Sequence, residues 1–240
     1  MTSTPNKVIV IIAAGPLIGT ATAAHFASKG FTHVALLSRD VKKLTETARF
    51  IVPFAKENGN VNVILKTYAG DVSNTENLLK ALKQIESDFG APEVVLYNAA
   101  VVRWVRVGEA TEEELIEEFK VSTVGLYTTA NWAYPLFIAN AKFKSSNYKP
   151  TFLVTGGGLY KNPQPTSFSL SLNKASQFNL TMALSKTYES EGVRTGVMVA
   201  NKIVTVDEKY HNPKHIASLF WDMYAKEEGK WEPVFDMGYD

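Results

Sequence analysis

Three short constellations in this chain bring together residue types that could do chemistry. The first is A-A-G-P-L-I-G at Ala13–Gly19. Its small-residue turn, Ala13–Gly15, follows an apolar β-branched run, Val8–Ile12, and precedes Leu17, Ala21, Ala24 and Phe26 at helical spacing. Strand, tight small-residue turn and helix form the first βαβ unit of a dinucleotide-binding sheet, because small residues let a diphosphate approach the free N–H groups at a helix N-terminus. The second is Ser38-Arg39, at the tip of the next apolar run, V-A-L-L-S-R-D. In such a sheet that tip meets the adenosine ribose, where an acidic residue would bind the two hydroxyls of NAD. A hydroxyl followed by a guanidinium suits a 2′-phosphate instead, and Asp40 comes one residue late for the NAD role, so NADP(H) is expected. The third is Tyr210-His211-Asn212-Pro213-Lys214-His215. Pro213 belongs in the first turn of a last helix with Asn212 as its cap, which leaves Tyr210 outside that helix and off the face of Lys214. His211 and His215 have no third ligand in sequence and read as surface histidines, so no metal is expected.

These residues need a frame. Further strand-like runs at Val34–Ser38, Val61–Ala69, Val94–Asn98, Thr151–Thr155 and Thr195–Val199 alternate with helical segments. The long helices are Thr111–Ala141 and Leu172–Glu191, and Ile216–Tyr224 and Trp231–Phe235 read as a final helix and edge strand. This alternation predicts an α/β fold: a Rossmann-like, doubly wound parallel sheet in three layers, one domain over residues 1–240. The length and the 45% hydrophobic content allow a sizeable core. A net charge of +1 argues against nucleic acid or a membrane surface as an electrostatic partner. The absence of cysteine excludes thiolate chemistry. No apolar run reaches the ~18 residues of a membrane span. Met1–Lys7 is short and polar, unlike a signal peptide, so a cytoplasmic protein is expected. T-E-E-E-L at Thr111–Leu115 reads as a capping arrangement, and the acidic run Glu112–Glu114, Glu117 and Glu118 as a solvated helix start.

The turn A-A-G-P-L-I-G-T resembles the T-G-x-x-x-G-[IL]-G turn of the short-chain dehydrogenases/reductases. Ile18 and Gly19 match its end, while Ala13 and Leu17 stand where the first two glycines would be. Gly15 restores some freedom, whereas the Leu17 side chain falls where the diphosphate passes close. Asp71-Val72 is similar to the family pair that faces the adenine amino group and ring. Tyr97-Asn98-Ala99-Ala100 looks like N-N-A-G, keeping Asn98 and Ala99 against the cofactor. Val121–Gly125 keeps the frame of V-N-x-x-G, with Ser122 in place of the asparagine that holds a water in the proton relay. Ala200–Thr205 fits P-G-x-[IV]-x-T, the loop against the nicotinamide carboxamide, with Ile203 and Thr205 kept.

In that family a tyrosine hydroxyl moves the proton, a lysine four residues later lowers its pKa and binds the ribose hydroxyls, and a serine about a dozen residues earlier orients the carbonyl. The matching segment here is S-F-S-L-S-L-N-K, with Lys174 at the lysine and Leu170 at the tyrosine, while Gly156-Gly157 stand at the serine pair. The resemblance therefore implies a divergent member lacking the catalytic tyrosine. Tyr160, on the loop above the nicotinamide, is the candidate donor, with Tyr97, Ser169 and Ser171 behind it; Lys174 could act directly if burial lowers its pKa. The expectation is an NADP(H)-dependent oxidoreductase acting on a small carbonyl, enone or imine. The alternatives are a non-redox cyclase or isomerase, or a catalytically silent NADP(H)-binding protein. Only Val206–His211 separates Thr205 from the last helix, where the family inserts a longer lid, which predicts an open pocket. Family members pair through the two long helices, so a homodimer or homotetramer is expected.

Overall fold

The structure, a computed structural model, describes residues 6–141, 148–227 and 229–238. Residues 1–5 of the polar N-terminal stretch lie outside that range. The strands are β1 (Val8–Ile12), β2 (His33–Ser38), β3 (Ile64–Ala69), β4 (Val94–Tyr97), β5 (Thr151–Gly157), β6 (Arg194–Ala200) and β7 (Val234–Asp236). They form one sheet in the order β3-β2-β1-β4-β5-β6-β7, and every pairing is parallel. The helices are α1 (Ile18–Ser28), α2 (Val41–Thr47), α3 (Ile51–Glu57), α4 (Thr75–Phe89), α5 (Glu112–Phe119), α6 (Gly125–Ala141), α7 (Phe168–Tyr188) and α8 (Pro213–Ala225). This is the doubly wound, three-layer α/β sheet that the alternation of elements predicts.

Strand β1 is buried at all five positions. Val8, Val10 and Ile12 enter one core with Leu78, Leu82, Ile85 and Phe137 from α4 and α6. Ile9 and Ile11 enter the other with Ala23, Phe26, Ile51 and Phe220 from α1, α3 and α8. A period of two on a strand with both faces covered explains why it reads as a continuous apolar run. Each fully buried valine or isoleucine contributes roughly 1.5–3 kcal/mol, so this strand anchors the turn that follows it.

Several boundaries differ from the sequence expectation for visible reasons. β3 starts at Ile64, not Val61, because its pairing with β2 begins where Ile64 meets His33. β5 and β6 run longer, through Gly157 and Ala200, because they pair with each other over seven residues. The helix expected over Thr111–Ala141 begins with Thr111 as a cap and contains a π-helical turn at Lys120–Val124. The helix expected from Leu172 begins at Phe168, where the Phe168 N–H donates to the Val105 carbonyl.

Candidate functional site

The strand order reverses between β1 and β4, the switch point beyond whose carboxyl ends open α/β sheets hold ligands. The turn after β1 lies at this point. Ala13 has φ of +55°, the left-handed region, and is the one non-glycine residue with positive φ among those described. That conformation is the one a glycine adopts without strain. The turn is tied on both sides: the Ala14 N–H donates to the Leu37 carbonyl at 2.8 Å, and Asn98 Nδ2 donates to the Ala13 carbonyl at 3.2 Å. Gly19 allows the helix to sit against the turn, since a Cβ there would lie 2.8 Å from Ala14 Cα. Leu17 occupies the N-cap of α1, makes no side-chain cap and is 39% exposed. The first turn of α1 is therefore without a side-chain acceptor, and Gly15 and Ile18 flank it half-buried.

A second group of candidates lies at and just beyond the tips of β2 and β3. Ser38 is half-buried and Arg39 exposed. Asp40 is the N-cap of α2, accepting from the Lys43 N–H at 2.9 Å. Asp71 accepts from the Ser73 N–H and hydroxyl at 2.9 and 2.7 Å. Burial pushes the Asp71 carboxyl up, but these bonds and the Arg39 charge outweigh it and hold its pKa below the usual range. The fold thus brings Arg39 within electrostatic reach of Asp71, with Val72 buried beside it.

The far end is built on β4, β5 and α7. Thr155 Oγ1 donates to Asn98 Oδ1 at 2.8 Å, and the Thr155 carbonyl accepts from Lys174 Nζ at 2.9 Å. Lys174 also donates to Gln177 Oε1, and Gln177 Nε2 donates to the Ala99 carbonyl, each at 2.9 Å. Lys174 is the one lysine buried among the described residues, and burial lowers its pKa to about 8. Gln177 and Thr155 carry no motif in sequence; the interior position of Gln177 on α7, one turn past Lys174, is the signal that could have singled it out.

The other candidates are spread around this centre. Leu170 is half-buried on the turn of α7 before Lys174. A Cβ at Gly156 would lie 2.5 Å from Val197 Cγ2, so no side chain fits there. One at Gly157 would meet the Lys174 side chain at 3.6 Å, ordinary contact. The Tyr160 ring lies flat on Phe178, 3.9 Å between centroids, and lines a cavity of about 420 Å³ with Phe168 and Leu172 rather than with Lys174. Tyr97 is fully buried and donates its hydroxyl to the Val121 carbonyl in the π-helical turn; burial pushes its pKa up. Ser122, in the same turn, is buried with an unpartnered hydroxyl, as is Ser169. Ser171 is held by the Ser167 carbonyl and the Gln164 N–H. Ile203 and Thr205 are exposed, and the loop closes on itself where the Thr205 N–H donates to the His211 carbonyl.

Two expectations need correction. His211 is not at the surface: it is 1% exposed, and burial, then the Lys202 charge, lower its pKa. The loop before α8 folds its ring inward while Asn212 caps the helix as expected. Glu118 is not solvated either. It is 4% exposed, pairs with Arg103 at 2.9 Å and accepts from Asn173 Nδ2 at 3.3 Å. Position along α5 decides this, because Glu114 closes the cap at the exposed start while Glu118 reaches the contact with α7. No helix among the described residues is long and apolar enough to cross a membrane.

The family model described as short chain dehydrogenase matches residues 7–214. A probable tetrahydroxynaphthalene reductase from Zymoseptoria tritici is 30% identical over 129 residues, covering 54% of this chain and 46% of that protein. A tetrahydroxynaphthalene reductase from Pyricularia oryzae is 27% identical over 132 residues, 55% of this chain and 44% of that one. Each match spans about half the length of these relatives. Among solved structures, a metagenomic short-chain oxidoreductase in complex with NADP superposes with a TM-score of 0.79 at 18% identity, covering 97% of both chains. An alcohol dehydrogenase from the archaeon Thermococcus sibiricus, complexed with 5-hydroxy-NADP, gives 0.80 at 22% identity, covering 96% of this chain and 95% of that one. These likenesses support the fold, and the family model spans most of the sequence. The chain belongs to the short-chain dehydrogenase family.

Proposed function

We propose that this protein is an NADP(H)-dependent oxidoreductase that acts on a small carbonyl, enone or imine without the family's serine and tyrosine. The observation that carries the reading is Lys174, a buried ammonium fixed at the carboxyl ends of β4 and β5, beside the switch point where the strand order reverses. Ala13, Gly15, Leu17, Ile18 and Gly19 would receive the diphosphate on the N-terminus of α1. Ser38 and Arg39 would hold the 2′-phosphate, Arg39 through paired N–H groups. Asp71, Val72, Asn98 and Ala99 would line the adenine and ribose, and Ile203 and Thr205 the nicotinamide. The nicotinamide supplies or accepts the hydride when bound. Lys174 would hold the ribose hydroxyls, and the proton would come from Tyr160, water or the substrate. An imine needs least help, because it arrives already polarised or protonated.

The absence of room for a side chain at Gly156, together with Leu170 before Lys174, favours a second reading: a protein that binds NADP(H) without hydride transfer, or that uses the pocket for isomerisation or cyclisation. We also propose pairing into a homodimer or homotetramer through α5, α6 and α7, where Ile116, Phe119, Tyr127 and Leu172 are exposed.

The test is a titration of the purified protein with NADPH and, in parallel, NADH, followed by nicotinamide fluorescence. Binding of NADPH at about micromolar concentration, with NADH much weaker, supports the cofactor reading; binding of neither sinks it. NADPH consumption with a carbonyl and imine panel then separates the oxidoreductase from the silent binder.

A further inference from the structure

Gln177 lies one turn beyond Lys174 on α7, and its side chain is 1% exposed. Both ends of its amide are used. Oε1 accepts from the Lys174 ammonium at 2.9 Å, and Nε2 donates to the Ala99 carbonyl at 2.9 Å. The Thr155 carbonyl is the second acceptor on the ammonium, at 2.9 Å, and the Thr155 hydroxyl donates to Asn98 Oδ1 at 2.8 Å. Asn98 Nδ2 in turn donates to the Ala13 carbonyl at 3.2 Å. One run of polar contacts therefore leads from the left-handed turn, through the tips of β4 and β5, to the ammonium and back to β4.

A buried lysine side chain has two ways to stop presenting an aimed positive charge. Its long stem can swing, or its nitrogen can release a proton, which burial favours. A neutral amide acceptor opposes both, because it fixes the nitrogen and bonds to the charged form. It does so without the neutralisation that a carboxylate would bring. Burial is the cause acting on the Lys174 ionisation, and the groups shown against its side chain are uncharged: Thr155 and Gly157 of β5, and Gln177 of α7 itself. Of the three N–H donors on the ammonium, these contacts use two and leave one.

We propose that Gln177 is the positioning residue of this site: it holds the Lys174 nitrogen between β4 and β5 as an ammonium, with one N–H left for a ligand. That the ligand is a nucleotide ribose rests on the proposed function; the holding of the ammonium does not.

The experiment follows the lysine ammonium signals in proton–nitrogen correlation spectra of the full chain as a function of pH. The Lys174 signal is assigned by its loss in Lys174→Arg. Gln177→Leu keeps the volume and removes the acceptor, so the Lys174 titration moves down by about one pH unit. Gln177→Glu keeps the shape and supplies a carboxylate, so it moves up by about one unit or more. A Lys174 titration unmoved in the folded variants overturns the proposal and leaves Gln177 a packing residue. If the leucine variant does not fold, the glutamate variant decides alone: an upward shift supports the proposal and no shift overturns it. NADPH titration of the same samples separates the two readings. Wild-type protein that binds no NADPH defeats the cofactor assignment and leaves the ammonium result standing.

Discussion

The two ends of the candidate site meet steric constraint in opposite ways. At the turn after β1, the backbone keeps a glycine's conformation with an alanine in place: Ala13 stays at φ of +55° and is tied to β4 through Asn98. At β5 and α7 the backbone is ordinary and the volume is decisive, because a Cβ at Gly156 would lie 2.5 Å from Val197. The first end shows that a strand–turn–helix connection can impose a strained φ on a residue at a modest cost. The second shows that side-chain chemistry depends on space that neighbours grant or refuse. A turn made of backbone can keep its shape through a substitution; a cluster made of side chains depends on the room around it.

The contrast can be broken at four places. The largest effect concerns Lys174. Burial brings its pKa from 10.5 to about 8, so below pH 8 the ammonium is charged in folded and unfolded chains and its burial is a fixed cost. As pH rises between these values the folded lysine becomes neutral while the unfolded one still binds a proton. Its contribution to stability therefore rises by about 3 kcal/mol across the interval. Chemical denaturation at a series of pH values should show this rise in the wild type and not in Lys174→Met. The comparison belongs below about pH 10, above which the tyrosines ionise in the unfolded chain while buried Tyr97 and Tyr134 resist, with the opposite slope. Parallel profiles for the two proteins would mean that Lys174 is not buried as described.

Next come the adjacent glycines. Gly156→Ala should cost about 2 kcal/mol by overpacking against Val197. Gly157→Ala should stay within about 0.5 kcal/mol. Equal costs would remove volume as the explanation at this end. Beyond the tip of β2, Arg39→Ala should weaken NADPH about tenfold, the side chain being exposed, and leave NADH unchanged. Equal weakening of both would reassign Arg39 to general attraction. The smallest effect is at the turn. Ala13→Gly should stabilise the protein by about 1 kcal/mol by relieving the left-handed backbone, raising Tm by about 2–4 °C. Destabilisation there would show that the alanine sits in an unstrained φ.

Much of this was legible in the chain as written. The buried run Val8–Ile12, the turn of small residues and the helix after it follow from local periodicity and residue size. Likewise, Asn212 and Pro213 announce the start of α8 because capping and the fixed proline φ act within a few residues. Asp40 follows the tip of β2 directly and caps α2, a role that a short polar residue just before a helix announces. The burial of Glu118 and His211 is not legible in sequence, because burial at a helix contact or under a loop depends on what packs from elsewhere in the chain.

The sequence by itself determined the alternation of apolar strands and helices, the small-residue turn and the presence of Lys174 one helical turn past Leu170, since these rest on periodicities and steric sizes that act locally. The tertiary structure alone decided that Ala13 is left-handed, that Gly156 has no room, that Tyr160 stacks on Phe178, and that Gln177 and Thr155 hold the lysine. Those outcomes need segments as far apart as Ala13, Asn98 and Thr155 to meet, and in a parallel sheet each crossover places residues side by side that the chain separates widely.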